Sequence, residues 1–578
     1  MRILLVALNA KYTHTNIAIR YLRECVKDDF PLVESREFTI NELIEKIQGE
    51  IYEAKAEVIG FSCYIWNITQ TLAVVRRLRL VLPHVRIVLG GPEVSFDSST
   101  ILEENPEIDA IVVGEGEKSF PRLLHAWQDG KEPVEVPGLV WRDSQGKIHS
   151  NPAGQFIDMA ELPNPYREDE NFRGRLAYLE TSRGCPFSCQ YCLSSTFHGV
   201  RFLPPERFRE FLRRALQAGA KTVKLVDRTF NTSKKHAFTI LDIAREEAGK
   251  FPPDANIRIH CEMAGELIDE EWLNYLRDYP KDLVQFEIGV QSTNQETLDI
   301  ISRPQKFQRW AGYIKELRRM DKSHLHLDLI AGLPQEDWAS FRNSFNDVYK
   351  VQPHMLQLGF LKVLKGSGIR NKSEEYGLVY TPDPPYTILE TGVLSHKELL
   401  KLHRLEEILE RYYNSGRFEN SVAYATQGFP TPFDFYHEFA EYWHDQGWFR
   451  QNWSSKALFE KFWTFMDSQD QKLPTSFDLN NFRELLRYDY YLGERPSDVP
   501  NYMLPSEDDL PPDYQKLKRE IQHHPIWEEK VPVYSSMERR RWSRATAVEL
   551  FQGPDPRWIL FFYSGGKTLT YEFPSLEE

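Results

Sequence analysis

The chain has 578 residues, more than one hydrophobic core normally accommodates, so we expect several domains. Apolar residues make up 41% and charged residues 27%, which is typical of globular proteins, and the formal net charge of −14 argues against a large nucleic-acid-binding surface. No apolar run approaches the roughly 18 residues of a membrane span, so we expect a cytoplasmic protein without membrane contact.

Residues 1–135 alternate short apolar runs with helical periodicity, which predicts an α/β domain with a doubly wound parallel sheet. The apolar runs are RILLVAL, EVIGFSC, VRIVLGG and IDAIVVGEGE, with a weaker strand at ESREFTI. The first run leads into a polar loop and lacks a cleavage-like site. We therefore interpret it as a buried strand and not as a signal peptide.

The loops after these strands are candidate binding sites, because ligands of such sheets lie beyond the carboxyl ends of the strands. These loops carry Ser62, Gly90, Gly91, Gly114, Glu115 and Gly116. A nicotinamide-binding domain has its glycines after the first strand, where this chain has none. The later glycines indicate either tight turns or close approach of a different, bulky ligand.

The central part of the chain predicts a second α/β domain. Residues 136–170 predict a small hairpin and a proline-rich linker. Residues 171–378 then repeat strand and helix at intervals of roughly 30–45 residues, which predicts a partial (β/α)6 barrel of the TIM type. The six candidate strands are at 176–182, 222–227, 257–262, 283–292, 325–334 and 355–364.

Residues 379–578 predict a mainly helical domain that ends in a small β element. A strongly periodic segment follows Ser395, which opens a capping box with Glu398. Further helices are predicted near 433–447, 455–468 and 480–491, and ILFFYSGGKTLTYEF predicts a β-hairpin.

The strongest chemical signal is the trio Cys185, Cys189 and Cys192, directly after the first barrel strand. Three thiolates on one loop can hold three irons of a cubane cluster and leave the fourth iron open to a chelating substrate. The alternative is a zinc knuckle completed by His198, although such a knuckle has no need of the carboxyl end of a barrel strand. The spacing of the remaining cysteines, Cys25, Cys63 and Cys261, does not support a second cluster.

This cysteine spacing, C-x3-C-x-aromatic-C, resembles the signature of the radical S-adenosylmethionine (SAM) superfamily. The resemblance implies a [4Fe-4S] cluster that binds SAM at its open iron and cleaves it to a 5′-deoxyadenosyl radical. It also implies SAM contacts from Tyr191 and from polar or turn residues at successive strand ends, namely Asp227, Asn231, Glu262, Glu287, Gln291, Ser292, Gly332 and Pro334.

The N-terminal region resembles the cobalamin-binding domain that precedes this barrel in one large subclass. The string Gly90-Gly91-Pro92-Glu93 and the segment 109–117 match the strings usual in that subclass. The D-x-H-x-x-G motif, by which other cobalamin proteins coordinate cobalt through histidine, is missing from the sequence. The resemblance therefore implies cobalamin bound by Ser62 and the glycine loops, without a lower histidine ligand.

Together these features predict a radical SAM enzyme that uses cobalamin, foremost for methylation of an unactivated carbon in a substrate that the sequence does not identify. The expected protein partner is an electron donor such as flavodoxin or ferredoxin. Two alternatives stay open. One is a tRNA-modifying, methylthiotransferase-like enzyme in which Arg539, Arg540 and Arg541 contact RNA and Trp542 stacks on a base. The other is a cofactor-binding sensor without turnover.

Overall fold

The computed structural model describes residues 1–196, 199–303, 305–505, 510–531, 533–552 and 556–573. The chain divides into two compact units, the first formed by Met1–Pro353 with Leu358–His396 and the second by His354–Gln357 with Lys397–Glu578. No helix within the described ranges is both long enough and apolar enough to cross a membrane.

The first unit begins with a seven-stranded sheet made of β1 (Ile3–Asn9), β2 (Val33–Thr39), β3 (Val58–Ser62), β4 (Arg86–Gly90), β5 (Ala110–Val112), β6 (Leu139–Arg142) and β7 (Ile148–Ser150). The strand order is β2-β1-β3-β4-β5-β6-β7. The first five strands are parallel, and the β6–β7 hairpin continues the sheet antiparallel. The predicted doubly wound sheet is confirmed, and the predicted hairpin forms its edge.

Both faces of this sheet are apolar because helices cover both of them. All seven residues of β1 are buried. Alternate residues point to opposite faces, so Leu4 and Val6 join one core cluster while Ile3 and Leu5 join the other. The helices are α1 (Ile17–Val26), α2 (Ile44–Glu53), α3 (Ile68–Val81), α4 (Ser98–Glu104) and α5 (Ser119–Gln128).

A six-stranded sheet follows, made of β8 (Ala177–Leu179), β11 (Thr222–Leu225), β12 (Arg258–Met263), β13 (Val284–Gln291), β14 (His324–Ala331) and β15 (Met355–Phe360). Its order is β15-β14-β13-β12-β11-β8, and β8 and β11–β14 pair in parallel. The six strands predicted for a partial barrel are thus present. The helices of this part are α6 (Pro205–Gln217), α7 (Lys234–Ala248), α8 (Glu270–Arg277), α9 (Gln295–Ile300), α10 (Phe307–Met320), α11 (Trp338–Tyr349) and α12 (Gly368–Asn371).

Two short antiparallel hairpins accompany the barrel strands. One joins β9 (Ser182–Cys185) to β10 (Gly199–Phe202), and the other joins β16 (Val379–Tyr380) to β17 (Ile388–Glu390). Gly184 in the first hairpin has φ +98, and a Cβ there would lie 2.0 Å from the carbonyl oxygen of Gly199. Only glycine therefore lets the chain enter the cysteine loop along this path.

The second unit is mainly helical, as predicted. Its helices are α13 (His396–Leu409), α14 (Glu419–Ala425), α15 (Pro432–Asp445), α16 (Ser455–Gln469), α17 (Leu479–Leu492), α18 (Tyr514–Gln522), α19 (Trp527–Lys530) and α20 (Arg539–Ala545). The predicted closing hairpin is β19 (Arg557–Ser564) with β20 (Lys567–Glu572), and β18 (Thr546–Phe551) adds a third strand.

The arginine triplet of the RNA alternative lies on α20, where its three side chains are exposed. Trp542 is only 1% exposed, and its indole Nε1 donates to the carbonyl oxygen of Gln522. A buried indole cannot stack on a base, so the aromatic contact expected by that alternative is wrong.

Candidate functional site

The three cysteines of the predicted cluster line one cavity at the carboxyl ends of the barrel strands. Cys185 ends β9, and Cys189 and Cys192 lie on the loop that follows it. Cys189 is 5% exposed, and burial raises the pKa of its thiol while the neighbouring guanidinium of Arg303 opposes that shift. The same cavity is lined by Tyr191, Glu262, Glu287, Gln291, Arg303 and Asp328.

The distances between donor atoms bear on the zinc alternative. Among the described residues, three possible metal ligands have donor atoms that all lie within 4.8 Å of one another, namely Glu287, His326 and Asp328. The sulfur atoms of the three cysteines do not all lie this close together. Zinc with Zn–S bonds of about 2.3 Å needs sulfur atoms roughly 3.8 Å apart. Three sulfurs that are not all within 4.8 Å of one another do not match that zinc geometry, and His198 lies outside the described residues.

Arg303 is a residue of this cavity that the sequence did not single out. Its guanidinium Nη1 lies 3.3 Å from the Tyr191 hydroxyl and 3.7 Å from the Cys189 sulfur, and Nη2 donates to the carbonyl oxygen of Gly289 at 2.6 Å. The residue is 8% exposed, so a fixed positive charge stands beside the cysteines. No sequence motif marks this arginine, which lies shortly after the end of α9 and far in sequence from the cysteines.

The end of β13 is distorted where it meets the cavity. The register with β14 shifts between Gly289 and Gln291, and Gln291 has φ +68, a strained value for a residue with a side chain. Its amide folds over Gly289, where a Cβ would lie 2.2 Å from the Gln291 Nε2. In the described chain the buried Gln291 Oε1 and Arg303 Nε have no hydrogen-bond partner, so both are available to a polar ligand.

A layer of charged side chains lies on the barrel strands next to this cavity. The Lys224 ammonium is 3.2 Å from a Glu287 carboxylate oxygen, and His260 Nε2 is 2.8 Å from the same oxygen. Burial would raise the pKa of Glu287, but His260 and Lys224 lower it to about 2. Burial beside Glu287 raises the pKa of Glu262. The sequence pointed to both glutamates but missed Lys224.

Several predicted SAM residues take part in internal hydrogen bonds and do not line the cavity. The buried Asp227 carboxylate accepts from the Thr181 amide and from the Thr181 and Ser182 hydroxyls. The Asn231 amide exchanges two hydrogen bonds with the backbone of Ala264. Each fixes the backbone near the cysteine loop or β12, and direct contact with SAM stays a prediction for both.

Residues of the same unit also pack against the turn that follows β14. Gly332 has φ +85, and a Cβ there would lie 2.7 Å from Ile388, while Pro334 is buried. The Ser292 hydroxyl donates to Glu336 at 2.6 Å. Glu336 itself is 0% exposed, and burial raises its pKa to about 7.

Glu336 gives the folded chain a predictable pH dependence. Its pKa is higher in the folded chain than the ordinary 4.5, so stability falls as pH rises from about 4.5 to about 7. Above pH 7 the buried charge costs about 3 kcal/mol. We expect Glu336→Gln to raise the unfolding temperature at pH 8 and to leave it nearly unchanged at pH 4.5. Equal shifts at both pH values would contradict the assignment.

The predicted cobalamin loops lie side by side at the carboxyl edge of β3, β4 and β5. The Ser62 hydroxyl accepts from the Asn16 amide at 3.2 Å, and Tyr64 stacks on Trp66 with ring centroids 4.3 Å apart. Trp66 is 44% exposed, and a Cβ at Gly114, where φ is +79, would meet no atom within 4 Å. This edge is therefore open and carries a flat aromatic surface, which suits a large planar ligand.

Of the last loop, Glu115 faces the barrel part of the same unit and Gly116 faces α1. The Glu115 carboxylate pairs with Arg201 on β10 and accepts from the Ile157 amide at 3.0 Å. Burial would raise the pKa of Glu115, but Arg201 and Arg183 hold it below its usual value. A Cβ at Gly116 would lie 3.1 Å from Leu22. Cobalamin contact by these two residues stays a prediction.

Gly91 is the glycine with the strictest local requirement at this edge. It has φ +110, and a Cβ there would lie 2.5 Å from the carbonyl oxygen of Cys63. We expect Gly91→Ala to destabilise the first unit by about 2–4 kcal/mol. Gly114→Ala, which adds a Cβ in open space, should cost only about 1–2 kcal/mol for the left-handed backbone. Chemical unfolding of the two variants measures the difference, and equal losses would contradict it.

Three family models match the chain in the order of these structural parts. Residues 3–124 match the B12 binding domain, residues 179–348 match the radical SAM superfamily, and residues 374–554 match a protein family of unknown function, DUF4080. The first two models cover the open-edged sheet and the cysteine-bearing barrel.

Two curated relatives and one solved structure are similar to larger parts of the chain. The cobalamin-dependent radical SAM methyltransferase TokK of Streptomyces tokunonensis is 26% identical over 363 residues, 57% of this chain and 50% of TokK. The 2-(S-pantetheinyl)-carbapenam-3-carboxylate methyltransferase of Streptantibioticus cattleyicolor is 26% identical over 316 residues, 52% of this chain and 45% of that enzyme. The chain thus spans about half the length of these relatives.

The structure of OxsB, a cobalamin-dependent S-adenosylmethionine radical enzyme with aqua-cobalamin and S-adenosylmethionine bound, has a TM-score of 0.57. It is 15% identical to this chain, and the match covers 94% of this chain and 83% of OxsB, so it supports the fold. The part of the chain that carries the three cysteines is the part that matches the radical SAM superfamily model. The chain therefore contains a B12 binding domain followed by a radical SAM domain, the combination that the sequence predicted.

Proposed function

We propose that the chain cleaves SAM at a [4Fe-4S] cluster held by Cys185, Cys189 and Cys192, and uses cobalamin to methylate an unactivated carbon of its substrate. The observation that carries this proposal is a single cavity that contains three cysteines, a buried arginine and polar atoms without partners. TokK, which this chain matches over half of TokK's length, is named a cobalamin-dependent radical SAM methyltransferase.

The residues of the cavity fit the polar groups of SAM. The Arg303 guanidinium, fixed by Gly289 and next to Cys189, is placed to pair with the SAM carboxylate near the cluster. The free Gln291 Oε1 and the Glu262 carboxylate are acceptors for hydroxyl or amine donors. When bound, the cluster supplies the electron that breaks the sulfonium bond, and cobalamin supplies the methyl group.

Cobalamin would lie along the carboxyl edge of β3, β4 and β5. Gly90 and Gly114 leave room for it, since added Cβ atoms there would meet nothing closer than 3.7 Å. The exposed face of Trp66 offers an apolar wall. Reduction of the cluster requires a one-electron donor, for which we propose a flavodoxin or ferredoxin.

The test separates the radical activity from the methyl transfer. The purified chain is loaded anaerobically with iron, sulfide and cobalamin, then given SAM and dithionite. We expect 5′-deoxyadenosine together with S-adenosylhomocysteine, the product left when SAM donates its methyl group. Omitting cobalamin should abolish S-adenosylhomocysteine and preserve 5′-deoxyadenosine. Failure to bind cobalamin, or 5′-deoxyadenosine as the sole product of the loaded chain, would overturn the methyltransferase assignment.

A further inference from the structure

One segment of the first unit contacts both the cobalamin edge and the cysteine loop. Residues 361–371 follow β15. The Val363 amide donates to the carbonyl oxygen of Tyr386, and the carbonyl oxygen of Leu361 accepts from the Ile388 amide. We call residues 361–371 together with Tyr386 the strut. None of its residues lines the cavity of the cysteines.

One end of the strut contacts the loop after β4, at residues 91–97. The Tyr386 hydroxyl donates to Glu93 at 2.5 Å, and these residues are 1% and 3% exposed. The Lys365 ammonium lies 4.0 Å from Glu93 and 3.6 Å from Asp97. A Cβ at Gly366 would lie 2.1 Å from the ring of Phe96, so the backbone of the strut packs directly on this loop.

At its other end, the strut is bonded to the cysteine loop. The Ile369 amide donates to the carbonyl oxygen of Gln190 at 2.9 Å, and a Cβ at Gly368 would lie 2.8 Å from the Gln190 side chain. Gln190 follows Cys189 directly, and its own amide donates to the carbonyl oxygen of Ile301 at 2.9 Å. The strut thus reaches the residue next to the buried cysteine.

The two ends are joined by tight contacts within the strut. The Arg370 guanidinium carbon lies 4.9 Å above the Tyr386 ring, and Arg370 Nη1 donates to the carbonyl oxygen of Val363 at 3.1 Å. Arg370 therefore connects Tyr386, which donates to Glu93, with α12, which bonds to Gln190. Leaving the buried Glu93 carboxylate without a donor costs free energy. Movement of the strut away from the loop at 91–97 is therefore unfavourable, and the contacts within the strut transmit this restraint to its end at Gln190.

We infer that the strut sets the spacing between the loop at 91–97 and the cysteine loop, with Tyr386 as a positioning residue. The inference rests on the proposed function in one respect: the two loops are the edges where the methyl donor and the radical source would meet. If the methyl donor and the radical source act on the same substrate carbon, the distance between them must be fixed, because small misplacements of reacting groups lower rates strongly.

Hydrogen–deuterium exchange of the full-length chain without cofactors tests the strut directly. In Tyr386→Phe, we expect exchange to accelerate about tenfold at 91–97 and also at Gln190 and Ile369, because the buried Glu93 loses its donor. Tyr380→Phe is the matched control, since Tyr380 also stacks with Arg370 and should leave both loops unchanged. Acceleration at 91–97 alone, or at neither loop, would overturn the inference.

A second readout uses the cofactor-loaded chain. Tyr386→Phe should lower S-adenosylhomocysteine formation at least tenfold and change 5′-deoxyadenosine formation less than threefold, whereas general unfolding would lower both equally and overturn the inference. If Tyr386→Phe does not fold, two variants of Glu93 test the same contact. Glu93→Gln keeps an acceptor for the Tyr386 hydroxyl and should show near-native hydrogen–deuterium exchange at both loops. Glu93→Ala removes the acceptor and should show the tenfold acceleration at both loops. A wild-type chain that fails to bind cobalamin while the exchange pattern holds would refute the proposed function and leave the strut intact.

Discussion

Replacing Cys189 with Ala should reduce 5′-deoxyadenosine formation at least 1000-fold, at the level of protein without a cluster. Cys189 is the most buried of the three cysteines and lies against Arg303, so no other described sulfur can take its place. Two thiolates cannot hold a cubane with one open iron, because the cluster needs three protein ligands for that state. Iron and sulfide analysis together with product quantification measure the loss.

Cys25→Ser is the matched control for this loss. Cys25 lies on α1, away from the cavity residues, and burial raises the pKa of its thiol to about 12, so it stays protonated at neutral pH. This variant should keep four irons per chain and full turnover, as the cubane stoichiometry requires. Native iron content and turnover in Cys189→Ala would show that the cysteine loop is not the cluster site.

Replacing Arg303 with Met should weaken SAM binding by about 100-fold, equivalent to about 3 kcal/mol. The guanidinium is almost fully buried, and its remaining free nitrogen has no partner in the described chain. Without it, the SAM carboxylate would lose the buried positive charge that lies beside Cys189. Lysine keeps the charge but not the planar fork, so Arg303→Lys should lose about tenfold.

The measurement is a SAM titration of the reduced cluster, followed by its electron paramagnetic resonance spectrum. Arg309→Met, a change on the exposed surface of α10, should bind SAM normally. Iron content must be compared in all variants, since Arg303 also contacts Cys189. Native SAM affinity in a fully loaded Arg303→Met would remove the arginine from the binding site.

Much of the fold follows from short-range patterns in the sequence. Every residue of β1 is buried between two core clusters, and such an unbroken apolar run indicates a strand covered on both faces. The cysteine loop was also predictable, because its three cysteines lie within eight residues of sequence. Glu262, Glu287 and Gln291 reach the cavity because side chains at alternate strand positions share one face.

The remainder depends on contacts between distant segments. Arg303 enters the cavity only because the β13 end is distorted at Gln291 and leaves the Gly289 carbonyl oxygen exposed to it. Tyr386 meets Glu93 across 293 positions of sequence, which no local pattern can reveal. The family resemblance implied SAM contact for Asp227, and its hydrogen bonds to Thr181 and Ser182 were likewise not visible in the sequence; SAM contact by Asp227 stays a prediction.

The most direct test of the central claim is the fate of SAM on the reduced, cluster-loaded chain. Anaerobic incubation with SAM and dithionite should yield 5′-deoxyadenosine in a reaction that requires the reductant and is lost in Cys189→Ala. A chain that holds four irons, accepts the electron and leaves SAM intact would contradict the assignment of this cavity as a radical SAM site.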